Sequence, residues 1–128
     1  MRSSAVYLRW VLLFAYAGLI FFVSSREIPP GLVPPIPHID KVAHVLEYAL
    51  LAALAFRALW PDTGRPTPLW VLVAGVALAV VYGAADEFHQ YFVPTRECDW
   101  ADLAADGVGS AIAAAVWEPL TSKFRWLR

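Results

Sequence analysis

His44, Glu87, Asp102 and Asp106 are the residues whose chemistry stands out, because an imidazole and carboxylates set among apolar residues can move a proton as general acid or base. Asp86, Glu87, Asp102 and Asp106 offer oxygen donors of the kind that can hold a divalent cation, the candidate cofactor, whose identity the pattern leaves open. The spacing groups them with neighbours. At about 100° per residue, Asp40, Lys41, His44, Glu47 and Tyr48 fall within an arc of roughly 120° on one helix, with His44 near its centre. Asp86, Glu87 and Gln90 share a face where their helix continues past Ala85. Asp99, Asp102, Asp106 and Gly109 follow at spacings of three, four and three, an arc of about 80°. Arg96, after Pro94 in the turn between two acid-bearing helix ends, is expected to anchor the acids, since its planar fork matches a carboxylate or phosphate bidentately.

The segments that position these residues are apolar. Of 128 residues, 59% are hydrophobic and 16% charged, outside the range of soluble domains, and the chain is expected to be one domain over residues 1–128, an all-α four-helix bundle in a membrane. Spanning the hydrocarbon takes about 20 apolar residues, and four stretches approach that length: 7–23, 42–59, 69–85 and 100–117. Pro29, Pro30, Pro34, Pro35 and Pro37 break the first connection, and Pro61, Gly64, Pro66 and Pro68 the second. The third is a short turn at Val93, Pro94 and Thr95. Arg2 and Arg9 before an apolar run, with Val23-Ser24-Ser25 after it, also fit a signal peptide, though the run is long for one.

An N-in, C-in orientation puts seven basic residues (Arg2, Arg9, Arg57, Arg65, Lys123, Arg125 and Arg128) on the cytoplasmic side and three (Arg26, Lys41 and Arg96) outside. Trp10, Trp60, Trp70, Trp100, Trp117 and Trp126 lie near span ends, where indole prefers the headgroup region. The ionisable residues then gather at the extracytoplasmic face. Asp106, two turns below Asp99, sits about 10 Å deeper at 1.5 Å per residue. A central Asp costs about 2.5 to 3.5 kcal/mol on insertion scales, so it is expected to face inward toward Lys41, Arg96, His44, a metal ion or a retained proton. The fourth segment is otherwise rich in Ala, Gly and Ser, which allow close helix approach and place it at the centre of the bundle; Gly75 and Gly83 serve the third similarly.

Asp40-Lys41 with His44 and Tyr48, and Asp86-Glu87-Phe88-His89-Gln90 with Phe92, Pro94, Arg96, Asp102, Asp106 and Gly109, resemble the VanZ-like family of small bacterial membrane proteins from Asp40 to about Ala115. Thr95 stands where many relatives show Gly, and Asp106 where some show Asn. The resemblance implies a cell-envelope role at the bacterial cytoplasmic (inner) membrane and, through the namesake, a link to teicoplanin resistance; it carries no catalytic assignment.

The expected function is an extracytoplasmic pocket lined by Asp40, Lys41, His44, Tyr48, Asp86, Glu87, Gln90, Arg96, Asp99, Asp102 and Asp106 that binds an envelope lipid or lipid-linked headgroup, with processing of that ligand left open. No P-loop, HExxH or GxSxG signature specifies a reaction. The alternative is a non-enzymatic structural or accessory protein, or a small ion or proton pathway, which the apolar remainder of the second segment interrupts unless a homo-oligomer completes it. Ten basic residues against eleven acids, with no basic run, exclude an electrostatic nucleic-acid surface. Cys98 has no partner for a disulfide or zinc site and reads as a loop residue.

Overall fold

The computed structural model describes residues 2–29, 31–33, 35–60 and 65–124, with side chains from residue 4 onward. Four helices make up the fold: α1 (Arg2–Ser24), α2 (Ile39–Leu59), α3 (Leu69–Gln90) and α4 (Trp100–Lys123). No strand occurs among the described residues. Pro30, Pro34, Pro61, Gly64, Arg125, Trp126 and Arg128, used above for breaks, orientation and interface, lie outside them.

Each helix covers its expected span and runs past it. α3 continues through the polar stretch to Gln90, and α4 passes through Pro119 to Lys123. α1, α2 and α3 are long and apolar enough to cross a membrane. α4 is as long, yet carries Asp102, Asp106 and Glu118 and is not among them.

The outer surface is apolar: Tyr7, Phe14, Leu46, Val81 and Phe88 are all well exposed, which suits lipid as solvent. The interior is divided along its length. Leu51, Ala52, Ala55, Phe56, Val71 and Ala79 form a closely packed middle, whereas Asp86, Glu87, Gln90, Asp102 and Asp106 are buried toward one end.

α2 and α4 form the most extensive helix pair, and both begin at the polar end, so they run parallel. A Cβ at Gly109 would overlap the Val45 backbone, so glycine alone permits this approach. Gly75 makes room for the Phe56 ring, and Gly83 for the Asp106 carboxylate and the Tyr48 ring. Both α2 and α3 touch all three other helices, and α2 does so most extensively, whereas α4 scarcely meets α1; the central helix is therefore α2 and not α4 as expected. α1 packs on α2 through Leu13 and Ile20, and Tyr16 Oη donates to the Glu47 carbonyl at 3.3 Å.

Trp117 lies at the end of the core and faces inward. It is buried, meets Phe56 edge to face at 5.4 Å, and donates Nε1 to Thr67 Oγ1 at 3.0 Å. Its indole closes the end of the core opposite the acids.

Candidate functional site at the polar end

The parallel α2–α4 pair aligns bases with acids. Lys41 and His44 are one turn apart on α2, and Asp99, Asp102 and Asp106 descend α4 at matching heights. Lys41 Nζ reaches Asp99 Oδ2 at 2.6 Å, Asp102 Oδ1 at 2.5 Å and Asp40 Oδ2 at 2.9 Å, so all three ammonium protons have a carboxylate. Below it His44 Nδ1 meets Asp106 Oδ1 at 2.8 Å, with Nε2 3.8 Å from Asp102 Oδ2. Asp106 is fully buried, and its Oδ2 has no hydrogen-bond partner. Tyr48 is fully buried too, its ring parallel to His44 at 6.2 Å and its hydroxyl without a partner.

Asp99 joins three elements. Its Oδ1 accepts from the Ala101 N–H at 2.8 Å and caps α4, its Oδ2 takes Lys41, and its own N–H donates to Glu87 Oε2 at 2.9 Å. The Lys41 hydrogen bond, and after it the Ala101 N–H, hold the Asp99 carboxyl below the usual range. Glu87 is buried on α3, and its second oxygen, Oε1, is left without a partner. One donor atom from each of His44, Glu87 and Asp102 lies within 4.8 Å of the other two.

Asp86 belongs to a different network. Its Oδ1 accepts from Ser24 Oγ at 2.5 Å and its Oδ2 from Gln90 Nε2 at 2.9 Å, which turns it toward α1 and away from the His44 group. The expected set therefore divides into two sectors. Lys41, His44, Tyr48, Glu87, Asp99, Asp102 and Asp106 lie among α2, α3 and α4, with Asp40 at the rim. Asp86, Gln90 and Arg96 lie toward α1, around a cavity of about 50 Å³ that His44, Ser24 and Glu47 also line.

Arg96 is not the anchor of the acids. Its Nε donates to the Arg26 carbonyl at 3.1 Å and an Nη to the Val23 carbonyl at 3.0 Å, so it closes the C-terminal end of α1, where carbonyls lack helical partners. Lys41 holds the acids instead, because it stands on the helix parallel to theirs and Arg96 stands in the loop beside α1. That loop turns at Thr95 with φ 66°, a conformation a β-branched residue rarely adopts, and Thr95 Oγ1 accepts from the Ile28 N–H at 3.0 Å.

Ser24, Ser25 and Glu47 were absent from the expected site. Ser25 Oγ lies 2.9 Å from His89 Nε2, so both serines tie α1 to the end of α3. The signal for them was adjacent hydroxyls closing an apolar span, and for Glu47 its place in the α2 polar stripe.

A larger cleft, about 670 Å³, opens between α1 and α2 beneath the loop that joins them. Val23, Leu32, Val33, Leu46 and Leu50 give it apolar walls, and Asp40, His44, Glu47 and Arg96 a polar end.

Apolar helices around an ionisable end define the class, a small all-helical membrane protein. The chain belongs to the VanZ/LLP1 family, whose model matches residues 3–121. Neither the curated proteins nor the solved structures give a match to it.

Proposed function

We propose that the protein is a multi-pass component of the bacterial cytoplasmic membrane, N-in and C-in with α4 as its fourth span, and that it binds an envelope lipid or lipid-linked headgroup from the extracytoplasmic side. The observation that carries this reading is the cleft: its walls suit an acyl or prenyl chain, and its end, with His44 and Arg96 beside Asp40 and Glu47, suits a polar headgroup. Its volume of about 670 Å³ is that of an ordinary small-ligand site. The excess of Lys and Arg at the other end of the helices supports the orientation. Processing of the headgroup would draw on His44 or a neighbouring acid as general base.

Sidedness is testable on the native chain, because Cys98 is free and exposed in the loop at the polar end. A membrane-impermeant maleimide is expected to label it in intact spheroplasts; labelling only after lysis would move the cleft to the cytoplasm. For the occupant, protein extracted with its native lipids is expected to carry a lipid class enriched over the bulk membrane. Leu46→Trp, which fills the cleft from an exposed wall position, is expected to abolish that enrichment. Bulk composition around the unaltered chain would refute lipid binding.

A further inference from the structure

We propose that His44, Glu87 and Asp102 form a site for one divalent transition-metal ion, with Asp106 as the group that orients its histidine. The first observation is geometric: one donor atom from each of the three residues lies within 4.8 Å of the other two, although they come from three different helices. The second is Glu87 Oε1, which belongs to a side chain only 4% exposed and has no hydrogen-bond partner. A buried carboxylate oxygen without a donor is costly, and a cation supplies what it lacks.

The tautomer fits as well. Asp106 Oδ1 at 2.8 Å from Nδ1 takes that N–H, leaving the Nε2 lone pair toward Asp102. A carboxylate on the far nitrogen of a ligating histidine is the usual outer partner of such sites. Charge balance points the same way. Glu87, Asp102 and Asp106 converge in an apolar bundle, and Lys41 is shared among Asp40, Asp99 and Asp102, taking only Oδ1 of the last. One imidazole with two carboxylates favours zinc or manganese over magnesium or calcium, which prefer all-oxygen sets, and three protein ligands leave a position for water or a ligand oxygen. The site shares His44 with the lipid cleft but needs no lipid.

The test uses the full chain in detergent, stripped with chelator and titrated with Zn²⁺ by calorimetry and with Co²⁺ by visible absorption. One equivalent per chain is expected. Glu87→Gln is expected to weaken binding at least 100-fold, and Asp106→Asn about 10- to 100-fold, the range for outer partners of ligating histidines. Glu97→Gln, at an exposed loop position, is expected to bind as the unaltered chain. Should Glu87→Gln not fold, His44→Gln replaces it, with loss of the imidazole-dependent Co²⁺ spectrum as readout. Substoichiometric binding by the unaltered chain, or equal affinity in the Glu87 and Asp106 variants, would overturn the site. The measurement uses metal alone, so its failure leaves the lipid reading standing, and bulk lipid composition leaves the metal site standing.

Discussion

Gly109→Ala is expected to destabilise the bundle by about 3 kcal/mol or more, the largest effect of a methyl group added at any of the described glycines. Overpacking a well-filled interior ordinarily costs about 1 to 3 kcal/mol, because side chains rotate to absorb part of the clash. Here the obstacle is the Val45 backbone, carbonyl included, in the middle of α2's polar half, and backbone in a helix has nowhere to turn. Relief requires α2 and α4 to separate, which would also pull Lys41 and His44 from their acids. Thermal unfolding in detergent, followed by size-exclusion chromatography, measures this. Gly18→Ala is the matched control: nothing lies within 4 Å of a Cβ there, and alanine is favoured over glycine in a helix by about 1 kcal/mol. Equal melting of the two variants would mean that α2 and α4 do not approach as described.

Lys41→Met is expected to cost about 2 to 4 kcal/mol, between the value of under 1 for a surface pair and the 3 to 5 for breaking a buried one. The intermediate figure follows from exposure: the Lys41 side chain is 24% exposed and that of Asp102 only 12%. Most of the loss is the desolvated charge left on Asp102, so Lys41→Met combined with Asp102→Asn is expected to recover most of it. Lys41→Arg is expected to be a partial substitute, since three carboxylates converge on one nitrogen, which an ammonium satisfies and a planar fork does not. Melting temperatures of the four chains decide the matter. A Lys41→Met protein within about 0.5 kcal/mol of the unaltered chain would make Lys41 an ordinary surface residue.

The helices and their polar faces are legible in the amino-acid order alone. Apolar length, proline-rich breaks and the arcs of acids are local properties, read along one helix at a time, and each expected span lies inside an observed helix. The inward turn of Asp106 was legible for the same reason, because a carboxylate two turns deep costs too much toward lipid. Which base meets which acid depended on the pairing of helices. By side-chain chemistry and loop position Arg96 is the expected anchor, and only the parallel α2–α4 contact, set by Gly109, brings Lys41 to the acids and leaves Arg96 on the end of α1. Asp86 and Glu87 are adjacent in sequence and so about 100° apart on α3, enough for one to face Ser24 on α1 and the other the N–H of Asp99. That division, and the meeting of His44, Glu87 and Asp102 from three helices, were decided by tertiary packing, because nothing in sequence spacing fixes the rotation of one helix against another.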